Sequence, residues 1–162
     1  MSRIESSTNL SQSTEDVFAF LDRRESHLRF IPRMIQLNQT SPGVFGQVGT
    51  TLSGMLKYFG IRIPVQYEII EHEVDRRLAM KGQMGAVLFK DGYVLEKSNS
   101  GAELKFWLEL TPTGWAKVFA PLMGLVGRIH AWETLRNLKR ELATAEIVSL
   151  QDAAQSPRRG SQ

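Results

Sequence analysis

The sequence has no cysteine and only three histidines, His27, His72 and His130. The first absence excludes disulfides, thiol catalysis and cysteine-bound metal. The second argues against a metal site, because the three histidines lie far apart in the sequence. No two of these histidines are at helical spacing, so neither a metal nor a cofactor is expected. Long apolar runs are missing too. Met1 to Leu10 carries Arg3 and Glu5 among polar residues and lacks the apolar core of roughly 7–15 residues that a secretory signal needs. The most apolar window, Val118 to Ile129, is broken by Arg128 and falls short of the about 20 residues that cross a bilayer. A cytoplasmic protein without integral membrane association is expected. Net charge is small: 20 Lys and Arg against 17 Asp and Glu leave +3. The basic pairs Arg23-Arg24, Arg76-Arg77 and Arg158-Arg159 are dispersed and not interleaved with aromatics, which argues against a nucleic-acid partner.

What is present is an ordinary globular composition in 162 residues, 42% hydrophobic and 23% charged, enough for one domain with a substantial core. Ile4 to Leu10 reads as a strand. Ser13 is a helix cap with Asp16 at the third helical position, and Val17, Phe18, Phe20 and Leu21 give that short helix its apolar stripe. Glu25 to Ile31 reads as a second short helix, stopped by Pro32 because the residue before proline avoids the α region. Strands follow at Met34 to Thr40 and Gly49 to Phe59. Ile61, Ile63, Val65, Tyr67 and Ile69 then alternate with polar residues, the pattern of a strand with one wet face; Pro64 within it implies an edge or a bulge. Leu78 to Met84, Val87 to Lys97 and Leu104 to Leu110 complete the set, joined by turns short enough for an antiparallel meander.

From about Phe119 to Glu146 the period becomes helical. Ala131, Leu135, Leu138, Leu142 and Ala145 form one stripe, continued toward the N-terminus by Ala120, Gly124 and Gly127. Glycine inside a helix costs about 1 kcal/mol relative to alanine, so two on one face imply a close approach or a space to be kept. Residues 1–146 are expected to form the domain and 147–162 a flexible tail. A sheet with one wet face must cover the other, and only the long helix is available. The expected fold is α+β: a curved antiparallel sheet of about six to seven strands wrapped around a long C-terminal helix, with two short helices after strand one.

Several segments resemble the START-like (SRPBCC) superfamily, whose fold is the helix-grip, nearest its polyketide cyclase/dehydrase-type members. They are Ser13 to Leu21, His27 to Pro32, Gly49-Thr50-Thr51, Asp75 to Leu78 and Ser100 to Leu104. Ala102 stands where that family often has threonine. The resemblance spans residues 3 to about 146 and implies an internal cavity. Members include lipid and sterol carriers, quinone-binding proteins, hormone receptors, aromatase/cyclases and hydroxylase domains, so it carries a cavity over and no chemistry.

On the inward face, Leu56, Tyr58, Ile63, Val65, Tyr67, Phe89, Tyr93, Phe106 and Leu108, with Gly124 and Gly127 of the helix, are the expected ligand-binding residues. The three tyrosines either orient a mostly apolar ligand or are core tyrosines whose hydroxyls reach the rim. Asp91 shares parity with Phe89 and Tyr93 and could act as a buried acid or base. Asp91-Gly92 is also a turn signal, and the solvated turn is the preferred reading. Arg128 and His130 lie near the small-residue stripe, as substrate contacts or as a solvated helix face. His72 is expected to be exposed. Trp107, on the wet parity, can mark a protein contact. No catalytic residue is assigned. The expected function is a carrier or sensor for a hydrophobic small molecule: a lipid, isoprenoid or polycyclic, polyketide-like compound. The alternatives are a polyketide cyclase/dehydratase-type enzyme and a protein-binding module using Trp107; a homodimer stays open.

Overall fold

The structure, a computed structural model, describes residues 2–155. The chain runs β1 (Ser2–Leu10), α1 (Thr14–Leu21), α2 (Arg24–Phe30), β2 (Met34–Gln39), β3 (Thr51–Tyr58), β4 (Ile61–Glu73), β5 (Arg77–Met84), β6 (Val87–Ser98) and β7 (Gly101–Pro112). A 3-10 turn at Gly114–Phe119 then leads into α3 (Ala120–Gln155). The seven strands make one antiparallel sheet in the order β1-β7-β6-β5-β4-β3-β2. This is the α+β helix-grip arrangement that the sequence pattern implies.

The local causes are legible. Ser13 Oγ accepts from the Asp16 amide at 3.1 Å and starts α1. α2 ends at Ile31, extended ahead of Pro32. Pro64 lies where β4 outruns β5, whose pairing begins at Val65 with Met84; β4 has a single neighbour there, and the proline disturbs one ladder at most. A bulge between Ile69 and Glu71 bends β4 further along.

α3 lies on the inner face of the sheet. Ala131, Leu135, Leu138 and Leu142 are buried, and the helix packs chiefly on β1, β7 and α2. A Cβ on Gly127 would fall 2.2 Å from Cδ1 of Ile4, so this glycine allows helix and first strand to touch. Gly124 has no neighbour within 4 Å of such a Cβ; the two glycines of the stripe serve different ends. α3 also continues to Gln155, nine residues into the segment 147–162 expected as a tail. Residues 147–155 are exposed, and they extend a helix already nucleated, at one backbone hydrogen bond per residue. The remainder of that segment lies outside the described residues.

Three expectations are corrected. Asp91-Gly92 is no turn: β6 runs straight through it, with Gly92 paired to Ala79 on one side and Trp107 on the other. The glycine is there because a Cβ would lie 2.6 Å from the Trp107 ring. Trp107, expected on the wet face, is half-buried; it lies over Gly92 beneath the Arg3 guanidinium, 4.8 Å from the ring centre. His72 is half-buried, with Nε2 2.9 Å from Asp22 Oδ1 and its ring edge-on to Phe18.

Gly92→Ala should therefore lower stability by about 1–3 kcal/mol through overpacking. The loss should largely vanish in a Trp107→Ala background, because the clash is with that ring. Denaturant melts of the four proteins in a double-mutant cycle check this.

Candidate functional site

α3 rests over the β1–β7 side of the sheet, and a cavity of about 340 Å³ remains between its N-terminal half and the far strands. That volume is within the range of small-molecule pockets. Of the expected ligand-binding residues, Tyr58, Ile63, Tyr67, Phe89, Tyr93 and Leu108 line it, together with Gly127. Leu56, Val65, Phe106 and Gly124 do not. Leu56 and Val65 are buried in the core, and Phe106 is taken up by Tyr93, 5.1 Å between ring centres.

The strand walls come from simple alternation: β6 places Phe89, Asp91 and Tyr93 inward, and β7 places Leu108 and Leu110 opposite them. Leu110 continues the parity of Leu104, Phe106 and Leu108, so that signal was in the sequence. Met84 and Val87 come from the two sides of the β5–β6 turn. The helix wall of Phe119, Leu122, Met123, Val126 and His130 sits to one side of the buried stripe, where periodicity alone marks no second face. Ile31, just after α2, also lines the cavity.

The cavity's polar groups decide its character. Asp91 is only 7% exposed. Among the described residues, its Oδ1 is the buried side-chain polar atom that lacks a hydrogen-bond partner. Burial pushes this carboxyl up to about 7, opposed by a hydrogen bond from its own backbone amide. Tyr67 and Tyr93 are held well above the usual phenol range, first by burial and then by the Asp91 charge, so both remain hydrogen-bond donors. Burial, aided by the Arg33 cation, lowers His130 to about 4 against the pull of Glu133, leaving a neutral imidazole at the wall. Tyr58 stands near the rim under the Arg33 guanidinium, 5.0 Å from its ring centre, and Arg33 is paired with Glu133 of α3. That pair ties the start of β2 to the helix beside the cavity. Arg128 is exposed and lines nothing here.

A wider hollow of about 790 Å³ lies on the outer side of the sheet, where Ser53, Gln66, Glu68, Lys81 and Lys90 are among its lining. Its charges are solvated and partly paired, as Lys81 with Glu68 at 3.1 Å, and no buried unpaired group opens into it. The inner cavity is the candidate site. Among the described residues, no cluster of His, Asp and Glu is placed to hold a metal, and no helix is long and apolar enough to cross a membrane.

Comparison with solved structures now bears on this geometry. The Zhui aromatase/cyclase from Streptomyces sp. R1128 superposes with a TM-score of 0.74 at 9% identity, over 88% of this chain and 93% of its own. A conserved protein from Geobacillus kaustophilus gives 0.73 at 14% identity, over 89% and 97%. Ara h 8.0201 gives 0.69 at 13% identity, over 88% and 98%. The chain has the helix-grip fold. No family model matches the sequence, and no curated protein does. At these identities the likeness concerns the fold alone, and the site must be argued from its own residues.

Asp91 gives a pH-dependent test. Its carboxyl titrates at about 7 when folded, against 3.8 ordinarily. Between those values the folded state holds a proton that the unfolded chain has released, so this group's contribution falls as pH rises through that window and is flat above it. Asp91→Leu should therefore gain stability relative to the parent as pH rises from about 4 to about 7, by roughly 3–4 kcal/mol at about 1.4 kcal/mol per pKa unit. The buried His27, also lowered to about 4, and His130 titrate in both proteins and cancel in the difference. Paired urea melts at pH 4, 5.5, 7 and 8 measure it.

Proposed function

We propose that the protein binds a hydrophobic small molecule bearing at least one hydroxyl or amine, as a carrier or sensor. The observation that carries this reading is Asp91: a carboxyl buried in an apolar cavity with one oxygen unpartnered. A buried polar group without a partner costs roughly 1–3 kcal/mol, and a donor on a ligand would offset that cost. The lipid, isoprenoid and polycyclic classes all fit apolar walls of this size, and the polar end of the ligand would lie toward Asp91, Tyr67 and Tyr93. Residues 1–146 form the binding unit in this reading, working in the cytoplasm.

A second reading is supported by the same residue. A carboxyl titrating at about 7 is matched to proton transfer at neutral pH, and the protonated tyrosines can hydrogen-bond a carbonyl oxygen. A cyclase- or dehydratase-type reaction on a polyketide-like ligand would then use Asp91 as the base; the name of the Streptomyces neighbour agrees with this.

Fluorescence titration with N-phenyl-1-naphthylamine, an apolar probe that carries one amine donor, tests the binding reading. Saturable one-to-one binding is expected. Met123→Trp, which fills the cavity from the helix side, should weaken it at least tenfold while leaving the melting temperature within a few degrees. Non-saturable binding by a protein with native circular dichroism would remove the binding reading. Asp91→Asn separates the two functions: a carrier keeps its ligand with changed affinity, whereas an enzyme loses turnover of a retained substrate. Native mass spectrometry of the purified protein identifies that ligand.

A further inference from the structure

The outer surface around the cavity mouth is apolar where a free-standing domain has no use for apolar residues. The first half of α3 is apolar on two faces. One buries Gly127 and Ala131 against the sheet. The other presents Leu122, Leu125, Ile129 and Trp132, at spacings of three and four, to solvent. Trp115 and Phe119 of the preceding turn extend this face and are exposed as well. Beyond Trp132 the outward positions become charged, with Arg136, Lys139 and Arg140 exposed. The part of the helix that borders the cavity thus carries a continuous apolar outer face, separated by this charged stretch from a second exposed apolar group, Ile147, Val148 and Leu150, near the helix end.

Across the mouth stands the β3–β4 hairpin. Tyr58 and Ile63 of its arms line the same cavity as Leu122 and Val126 of the helix, so its tip lies at the same opening. The tip residues Phe59 and Ile61 are exposed, Phe59 fully. Phe59 also has φ of 49°, the left-handed region that a bulky side chain rarely adopts and that hairpin turns normally give to Asn, Asp or Gly. An aromatic is held there in a strained conformation without touching its own fold. Strain of this kind collects at functional positions.

The unpaired charge around these two walls is positive, Glu133 beside Trp132 being paired with Arg33. Residues 57–67 and 110–132 contain no Asp or Glu, but carry Lys57, Arg62, Lys117 and Arg128. All four are exposed, and among the described residues none is in an ion pair. The other exposed faces mix signs, as in the pairs of Arg76 with Glu73 and Lys105 with Glu96. Apolar and aromatic side chains with unpaired cations around them are the composition of a surface that lies in the interface of a bilayer, where anionic headgroups attract Lys and Arg.

We propose that the cavity mouth docks on an anionic phospholipid bilayer, with Phe59 and Ile61 on one side and the 115–132 face on the other inserted at headgroup depth. A sparingly soluble ligand would then pass between bilayer and cavity without crossing water. The docking stands on the outer surface and does not depend on which ligand the cavity takes.

Sedimentation with vesicles of phosphatidylcholine, pure or containing one third phosphatidylglycerol, tests this on the full chain. We expect at least tenfold tighter binding to the anionic vesicles, a loss of that preference at 0.5 M salt, and quenching of tryptophan emission by brominated lipids. Phe59→Asp and Leu125→Asp should each weaken vesicle binding at least fivefold. Both sites are exposed, so melting temperatures should hold. Lys117→Glu with Arg128→Glu should abolish the preference for anionic lipid. Absence of binding at millimolar lipid would overturn the proposal, and equal binding to both vesicles would overturn its electrostatic half. A dimer that Leu125→Asp dissociates, in a protein that ignores vesicles, would overturn it in favour of a second copy as occupant. N-phenyl-1-naphthylamine binding measured without vesicles reports the cavity separately, so either reading can fail alone.

Discussion

A helix about 10 Å across cannot cover the inner face of seven strands spaced about 4.8 Å apart. Most of the architecture depends on that mismatch. α3 is drawn to the β1–β7 side, where Gly127 lets it meet Ile4, and α2 props it from the other end of the sheet. Part of the inner face of β4, β5 and β6 is packed in the core, with Ile69, Leu78 and Met80 fully buried, and the part nearer the β3–β4 and β5–β6 turns faces the helix flank across a gap. Large inward side chains, Tyr67, Phe89 and Tyr93, narrow the gap without closing it, and the residual volume is the cavity. The space follows from the ratio of sheet to helix and was never carved out of a complete core.

The contents of the cavity work against stability. A buried carboxyl with an unpartnered oxygen and a neutral histidine at the wall are groups that a purely structural core replaces with leucine. Sequences retain such groups where they recognise or react with something. The surrounding core is conventional: Phe30, Leu21, Leu78, Leu104 and Leu138 are fully buried, and His27, equally buried, satisfies its ring with the Leu21 carbonyl at 2.7 Å. His27 is satisfied within the fold and Asp91 is not, and the proposed function rests on that contrast.

The same contrast applies at the surface. Trp107 and Trp132 both belong to exposed faces by pattern. Trp107 fills the place of the missing Gly92 side chain and is clamped by Arg3. Trp132 lies on α3 with Arg136 over its ring, 4.5 Å from its centre, and belongs to an apolar face that is exposed among the described residues.

The order of elements, the strand alternation, the Ser13 cap, the Pro32 stop and the buried stripe from Ala131 to Leu142 were legible in the sequence. Each is a local periodicity or a property of one residue's backbone. Six of the nine inward strand positions expected at the site did reach the cavity, because parity within a strand is also local. What the tertiary structure alone decided depends on partners distant in the chain. Gly92 reads as a turn until Trp107, fifteen residues on, is seen across the ladder, and Asp91 is solvated or buried according to that one contact. His72 reads as exposed until Asp22 is brought beside it. The apolar window from Val118 to Ile129 reads as one hydrophobic segment, and only the sheet determines which of its faces is core, which is cavity wall and which is left uncovered. Periodicity records how apolar a face is, but what covers it is set by where the chain's other elements fall in space.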